Sequence, residues 1–352
     1  MTELVPTREH IELAAAVRNL LDRRSDSQAV RRAMQSPTGF DTDLWRTLCD
    51  QIGVAALPIA EERGGAGFSL VETCVVLEEL GRALTPSPLL ASTVATAGLQ
   101  AAGGSPLLGD IASGAIATLA WSGITGSVDA PVDVTWRDGV LVGSIPTVLY
   151  GASADILLVV AEHAEGIGMF TIDSTSAART RLGGLDPTLE FARVECDGIA
   201  ADPVVLDAKA ILSATHRVGT LATAALQVGC AQRGLDMTVE YAKQREQFGR
   251  PIGSFQALKH RLADMLVKVQ MSRAAAWAAV QGHVHGVANA DRLAAAAASY
   301  CAEAAMAVAS ETVQMHGGIA ITWEHDAHLV FKRAQALDQL FGRPHHHRAV
   351  LV

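Results

Sequence analysis

The sequence predicts a multi-domain α+β protein with an N-terminal α-helical domain, a middle β-barrel or β-sandwich domain and a C-terminal four-helix bundle. Helical periodicity at both ends, strand-like alternation in the middle, and glycine and proline clusters that interrupt these patterns support this fold class. The 352 residues suffice for two or three domains. We place the N-terminal domain at residues 1–113, the middle domain at 114–208 and the C-terminal domain at 209–352.

Helical periodicity defines the N-terminal domain. Apolar side chains between residues 11 and 21 recur at spacings of three and four, and a second such run covers residues 44–54. Segment 58–67, which contains proline and several glycines, breaks the pattern. The periodicity resumes at residues 70–84 and ends before Pro86 and Pro88, since proline cannot continue a helix.

Strand signals define the middle domain. Apolar and polar residues alternate over residues 132–142 and are interrupted by Asp138-Gly139, which predicts a β-hairpin with a type I′ turn. The pair Asp202-Pro203 is expected to end the sheet. Further short runs of strand length occur at residues 154–161, 168–173 and 189–195.

Four long helices are predicted in the C-terminal domain. An apolar stripe runs from Phe255 to Val280, and polar residues fill many of the intervening positions. Similar patterns cover residues 208–241, 291–314 and 323–340, and four successive helices are typical of a bundle. The most apolar stretch, residues 293–310, contains Glu303, and we expect it to be a buried helix rather than a membrane span.

Composition excludes several classes of function. The net charge is −9, from 28 basic and 37 acidic residues, whereas non-specific nucleic-acid binding needs a basic face. The five cysteines are scattered without a C-x-x-C pair, so we expect neither a zinc site nor a disulfide framework. Three adjacent histidines at 345–347 cannot all point one way, and no metal is expected there.

The N-terminus lacks a basic segment followed by an apolar core, so we expect no signal peptide and a cytoplasmic location. Hydrophobic residues make up 49% of the chain. A chain this apolar is expected to cover part of its surface with partner subunits.

The most informative segment is residues 241–256, where one helix is expected to stop and another to begin around a glycine-proline turn. Arg245, Gln247 and Phe248 are concentrated in this turn. An arginine can hold a diphosphate with two hydrogen bonds, and an aromatic ring can stack on a purine. The alternative is an ordinary helix–helix connection with surface charge.

The pattern R-x-Q-F-G-x-P-I-x-x-F-Q, followed by Leu262-Ala263-Asp264-Met265, resembles the acyl-CoA dehydrogenase family. The stretch from Gln314 to Gly318 resembles the Q-x-x-G-G element of the same family, and the order of the three domains also agrees. The resemblance covers nearly the whole chain. It implies the acyl-CoA dehydrogenase fold, an FAD cofactor, an acyl-CoA substrate in lipid metabolism and an electron-transfer acceptor.

The resemblance also implies roles for individual residues. Arg245 would contact the FAD diphosphate and Phe248 would lie near the adenine side, with Gln247 between them. In this family these contacts come from the neighbouring subunit. The nucleotide end of the cofactor would be lined by Gln314, Gly317 and Gly318. The two glycines could equally form a helix C-cap, and both interpretations can hold together.

The family's catalytic base is missing from both of its usual positions. Members abstract a proton with a carboxylate, usually a glutamate just before a glycine near the C-terminus, where this chain has Phe341. Some relatives place the base on the first helix of the last domain, and the corresponding position is close to Gly219. That helix has no acid from residue 208 to 234. Glu324 and Asp338 are two other acids that could act as the base. The catalytic residues stay unassigned.

The middle domain departs from the family as well. The usual T-E-P-x-x-G-S-D element, which holds the flavin ring and the substrate, corresponds to residues 120–127 and lacks the Glu-Pro pair. Residues 146–151 replace the tryptophan-threonine element that covers the flavin. Thr147 could give a hydroxyl to the flavin from this position.

Two functions therefore compete. The first is FAD-dependent α,β-dehydrogenation of an acyl-CoA thioester, with short loops favouring a bulky acyl group, by a homodimer or homotetramer. The alternative is a non-catalytic partner subunit of a heterotetramer with a paralogous subunit, to which this chain contributes FAD contacts across the interface. A different flavin reaction on the same fold, such as oxygen-dependent hydroxylation, is a third interpretation.

Overall fold

The computed structural model describes residues 5–351, and the predicted fold class is confirmed. Helices at the N-terminus precede a middle sheet, which is followed by long C-terminal helices. The N-terminal helices are α1 (Arg8–Arg24), α2 (Ser27–Gln35), α3 (Thr42–Ile52), α4 (Leu70–Arg82), α5 (Leu89–Ala101) and α6 (Leu107–Ala112). The division of the chain at residues 113 and 208 into separate domains stays a prediction.

Side-chain caps begin several of the N-terminal helices. Thr7 and Ser69 form capping boxes at the starts of α1 and α4, which satisfy backbone N–H groups that have no partner within the helix. Val17 and Leu21 of α1 are buried in the core. Helix α5 was not predicted, because its small apolar residues are buried almost all around and therefore show no amphipathic period.

The middle sheet has seven strands in the order β1-β4-β2-β3-β7-β5, with β6 paired to β7. Strand β5 also pairs with β4, so the sheet closes on itself as a barrel does. The strands are β1 (Ala117–Ala120), β2 (Val134–Arg137), β3 (Val140–Leu149), β4 (Ile156–His163), β5 (Gly166–Ile172), β6 (Ala178–Leu182) and β7 (Phe191–Val205).

The predicted hairpin is confirmed, whereas the predicted end of the sheet is wrong. Asp138 and Gly139 both have positive φ, at 50° and 85°, as a type I′ turn requires. Strand β7 continues through Asp202-Pro203 to Val205 and pairs there with β5. Proline is tolerated because the register shifts beside it, at Met169 and Phe170, where a regular ladder hydrogen bond is not required.

The C-terminal region is a helix bundle joined tightly to the N-terminal helices. Its elements are α7 (Lys209–Gln244), the short strands β8 (Glu246–Gln247) and β9 (Arg250–Pro251), α8 (Gln256–Val284), α9 (Ala290–His316), α10 (Ala327–Leu337) and α11 (Pro344–Ala349). Helices α4 and α7 cross so closely that a Cβ on Gly81 or Gly229 would overlap the opposite backbone. Only glycine allows this approach.

One helical stretch, Ala290–Ile321, is long and apolar enough to cross a membrane by length and composition. Its most apolar window is 61% buried inside the fold, and α9 packs against α7, α8 and α10. It is therefore a core helix of the bundle, as the sequence predicts for residues 293–310.

Candidate functional site

A two-stranded hairpin stands at the end of α7 and carries the first sequence motif. Gln247 pairs with Arg250, and Phe248 and Gly249 between them have φ of 55° and 73°. At the base of the hairpin, the Arg245 N–H donates to the Tyr241 carbonyl at 2.8 Å, and the Ile252 N–H donates to the Arg245 carbonyl at 2.8 Å. The hairpin is thus tied to the last turn of α7.

The side chains of this hairpin face away from the fold. Arg245 and Gln247 are exposed, and Phe248 is 92% exposed. Between residues 5 and 351, no hydrogen bond or ion pair engages the Arg245 guanidinium. A phenylalanine exposed to this degree beside an unpaired arginine is the kind of surface that another molecule covers.

The second motif lies at the end of α9. Gln314, Gly317 and Gly318 are all exposed, and a Cβ on either glycine would meet nothing within 4 Å. Gly317 has φ 64° and ψ −143°, a conformation that favours glycine, and its N–H donates to the Gln314 and Val313 carbonyls. Gly317 therefore does cap the helix, and open space remains in front of both glycines.

Three aromatic rings join the two motifs. Tyr241, near the end of α7, stacks on His316 at the end of α9 with 4.4 Å between ring centroids. His316 in turn lies 4.6 Å from His325, in the turn before α10. The hairpin and the glycine pair therefore lie at the same end of the bundle. Sequence reasoning missed this stack, although Tyr241 precedes Arg245 by one helical turn and His316 directly precedes Gly317.

Both positions expected for a catalytic base meet in the structure, and neither carries an acid. Phe341 is fully buried, and its N–H donates to the Ile124 carbonyl of the middle region at 2.8 Å. Its ring lies directly against Gly219 on α7, where a Cβ would stand 2.5 Å from Cζ of Phe341. The ring thus occupies the space that a side chain at position 219 would need.

Other aromatic groups complete this buried cluster. The His216 ring lies 5.6 Å from Phe341 and 6.0 Å from Trp121, both edge to face. Trp121 is 1% exposed. The imidazole Nε2 lies 3.3 Å from the Gly126 carbonyl, and burial lowers the pKa of His216. Of these three side chains only this weakly basic imidazole can accept a proton.

The two acids considered from the sequence do not join this cluster. Glu324 is exposed in the turn before α10. Asp338 is half-buried after α10, where it accepts a hydrogen bond from Gln339, and burial raises the pKa of its carboxyl. Thr147 is half-buried on β3. Within residues 5–351, no group of three or more histidine, cysteine or acidic side chains could hold a metal ion.

Family models match most of the chain. The N-terminal domain of acyl-CoA dehydrogenases matches residues 7–106, and the C-terminal domain of acyl-CoA dehydrogenases matches residues 210–351. The chain belongs to the acyl-CoA dehydrogenase family, whose members are FAD-dependent flavoproteins and oxidoreductases of lipid metabolism.

Individual relatives are similar over almost their whole length. The acyl-CoA dehydrogenase IpdE2 of Mycolicibacterium smegmatis is 42% identical over 334 residues, which cover 94% of each chain. The ChsE4-ChsE5 complex from Mycobacterium tuberculosis contains a chain that is 30% identical, with a TM-score of 0.88 over 99% of this chain and 97% of that one. A chain of the Tcur3481-Tcur3483 steroid ACAD is 29% identical, with a TM-score of 0.87 over 97% and 96%.

Proposed function

We propose that this chain takes part in FAD-dependent α,β-dehydrogenation of an acyl-CoA thioester as the base-free subunit of a hetero-oligomer. The contact between Phe341 and Gly219 carries the proposal. Proton abstraction needs a carboxylate at hydrogen-bond range of the substrate carbon. Here the two family positions for that carboxylate pack against each other as a phenyl ring and a glycine.

The exposed end of the bundle supports a role in holding FAD. We assign the diphosphate contact to Arg245, since an unpaired guanidinium can donate two parallel hydrogen bonds to phosphate oxygens. Phe248 would lie near the adenine, with Gln247 between the two. Gln314, Gly317 and Gly318 would line the nucleotide end, where the open space in front of the glycines allows close approach. This donor set fits the nucleotide half of FAD.

In this chain, the part of the site that would hold the flavin ring and the substrate is aromatic and lacks the carboxylate base. FAD, when bound, supplies the acceptor for the hydride that leaves the acyl chain. In this chain, the His216 ring packs edge to face against both Trp121 and Phe341, between the middle region and the bundle. A partner subunit would therefore supply the flavin-ring pocket and the glutamate, and this chain would supply the nucleotide contacts.

Surface hydrophobicity supports a partner. Helix α8 exposes the apolar side chains of Leu266, Val267 and Met271, which are 47%, 59% and 54% exposed, and Val267 and Met271 lie one turn apart on the same face. Large exposed apolar side chains that are grouped in this way mark interaction surfaces. The ChsE4-ChsE5 and Tcur3481-Tcur3483 structures are named as assemblies of two different proteins, which agrees with a heterotetramer.

The same comparison supports a proposal for the substrate class. The Tcur3481-Tcur3483 protein is named a steroid ACAD, which supports a bulky acyl-CoA as the substrate of the assembly to which this chain belongs. The electrons would leave the flavin for an electron-transfer acceptor. A cytoplasmic location stays a prediction.

A second candidate is that the chain abstracts the proton itself with His216. The position of this imidazole, 5.6 Å from the Phe341 ring, favours the idea. The lowered pKa of His216 opposes it, because a weaker base gains less from taking the proton.

Purification with and without a partner separates these candidates. The chain would be produced alone and together with a glutamate-bearing acyl-CoA dehydrogenase subunit, and FAD content would be read from visible absorbance. We expect little FAD in the chain alone, and an FAD-containing hetero-oligomer that an acyl-CoA bleaches without oxygen. Bleaching of the chain alone would overturn the proposal, and loss of that bleaching in His216→Ala would establish the second candidate. Absence of FAD from both preparations would overturn both.

A further inference from the structure

The rings that join the two motifs are more buried than the motifs themselves. His316 is 3% exposed, Tyr241 is half-buried, and the stacked geometry leaves 29° between their planes. Arg245 and Gly317, by contrast, are exposed. The stack is therefore a fixed layer beneath a face that is open to a ligand.

Two residues of the stack, Tyr241 and His316, adjoin the segments that we assign to FAD, and the third, His325, is tied to the start of α10. The Tyr241 carbonyl accepts the Arg245 N–H, so the hairpin follows the last turn of α7. His316 is the last residue of α9, and Gly317 follows in its helix-capping conformation. His325 Nδ1 accepts the Ala327 N–H at 3.1 Å and so fixes the chain where it enters α10.

The orientation of the central ring is set by its helix. His316 Nδ1 donates to the Thr312 carbonyl at 2.7 Å, one turn earlier in α9. Its other nitrogen, Nε2, is buried and has no hydrogen-bond partner in the part of the chain that the structure describes. The central ring therefore meets Tyr241 of α7 and His325 of the turn before α10 through its faces.

Helices α7 and α9 also meet just below the stack. Thr238 donates to the Thr312 hydroxyl at 3.2 Å, and a Cβ on Gly234 would stand 2.8 Å from that hydroxyl. This close approach sets the spacing of the two helices but contacts neither motif. The only ring contacts between the ends of the helices are those of the stack, within residues 5–351.

We propose that Tyr241, His316 and His325 are positioning residues that hold the Arg245 hairpin and the Gly317-Gly318 turn in one arrangement for the nucleotide half of FAD. This inference rests on the proposed function. Pre-organised contacts bind more tightly, because less ordering is required when the ligand arrives. The stack fixes the two segments relative to each other before FAD is present.

Substitutions at position 316 test the role of the stacked faces. His316→Ala removes the central ring, whereas His316→Phe keeps an aromatic face and gives up both ring nitrogens, Nδ1 with its hydrogen bond to the Thr312 carbonyl and the buried Nε2. The FAD-containing assembly would be diluted and the fluorescence of released FAD followed in time. We expect release about ten-fold faster in His316→Ala and within about two-fold of the wild type in His316→Phe.

His10→Ala is the matched control for loss of a buried histidine. His10 is 9% exposed and meets Trp277 edge to face at 5.2 Å, in a separate part of the fold. This variant is expected to release FAD at the wild-type rate even if its unfolding temperature falls. An unchanged rate in His316→Ala, or equal acceleration in His316→Ala and His316→Phe, would overturn the inference.

Trypsin gives a readout that does not depend on FAD. The last turn of α7 and the base of the hairpin offer cleavage sites at Lys243 and Arg245, both exposed. In the chain alone we expect about ten-fold faster cleavage there in His316→Ala and wild-type cleavage in His316→Phe. Unchanged cleavage in His316→Ala would overturn the inference. A wild-type assembly without FAD would instead contradict the proposed function, and the comparison of cleavage rates between the two variants would still test the stack.

Discussion

The ring of Phe341 fills the space that a side chain on Gly219 would occupy, and the two residues come from segments that are far apart in the chain. Gly219 lies on α7, and Phe341 follows α10 with φ of 53°. The backbone of Phe341 is held by the Ile124 carbonyl, so the ring cannot move away freely. Phe341 thus links α7 to the middle region at the two positions where the sequence leads us to expect the family's base.

This contact predicts a steric penalty for a methyl group at position 219. Gly219→Ala should lower the free energy of unfolding by about 1–3 kcal/mol, because the new Cβ overlaps the Phe341 ring in a packed core. Urea denaturation measures the change. Gly183→Ala is the control, since its Cβ would meet nothing within 4 Å and its φ is ordinary. Equal stability of the two variants would contradict the described packing.

Arg245 is predicted to matter for FAD retention and not for folding. Arg245→Ala should weaken FAD binding by the assembly about ten-fold or more, because a charge-assisted contact to the diphosphate is worth roughly 1.5–3 kcal/mol. Its unfolding temperature should stay unchanged, since the side chain is exposed. Arg193→Ala, at an exposed arginine on β7, should alter neither quantity. Full FAD retention by Arg245→Ala would remove the assigned role.

Glu190 predicts a pH dependence of stability. This glutamate is 1% exposed, and burial raises the pKa of its carboxyl from 4.5 to about 7, against the lowering effects of the Ala152 backbone and of the charges of Arg181 and Arg179. Between these two pKa values the folded chain binds more protons than the unfolded chain, so this group's contribution to stability falls as pH rises from about 4.5 to about 7.

Glu190→Gln removes this titration. At about pH 8 the variant should be more stable than the wild type by up to about 3 kcal/mol, and at about pH 5 the difference should be small. Denaturant unfolding at both pH values measures it. Glu195→Gln, at an exposed glutamate on the same strand, controls for the general loss of one negative charge. A gain that is equal at both pH values would contradict the buried, raised-pKa carboxyl.

Arg333 and Asp186 form a buried ion pair. Removing one partner should strongly lower the free energy of unfolding, and the effects of removing both should not add. The Arg333 Nε lies 2.9 Å from Asp186 and 2.7 Å from the Thr188 hydroxyl, and both charged side chains are 1% exposed or less. Arg333→Met should cost about 3–5 kcal/mol, because Asp186 keeps an uncompensated buried charge. Arg333→Met combined with Asp186→Asn should cost less than the sum of the single changes. Additive losses, measured by urea denaturation, would show that the two side chains do not interact.

Local patterns predict the helices and hairpins of this fold better than its sheet. The Asp138-Gly139 turn and the four C-terminal helices follow from turn chemistry and periodicity, which act over a few residues. Strands β1 and β6 were missed, because β1 is only four residues long and buried throughout, and β6 is mostly polar. Neither shows the alternation that identifies a half-buried strand.

The residues of the candidate site also differ in how well the sequence predicts them. Arg245, Phe248 and the glycines at the end of α9 could be found from contiguous motifs, because the residues that share a task are neighbours in sequence. The stack of Tyr241 on His316 and the packing of Phe341 on Gly219 join segments that are far apart in the sequence. Such contacts depend on how the helices of the bundle pack, which a single sequence does not specify.

The packing of Phe341 on Gly219 also bears on how such a chain could change through evolution. A glutamate at 219 alone would collide with the ring, and a glutamate at 341 alone would place a carboxylate at a fully buried position beside His216. Each single substitution therefore passes through a destabilised protein, and a second, compensating substitution is needed before either acid is tolerated. In the base-free subunit that we propose, regaining the base would therefore require coordinated changes on α7 and in the segment after α10, and this would keep the subunit dependent on its partner.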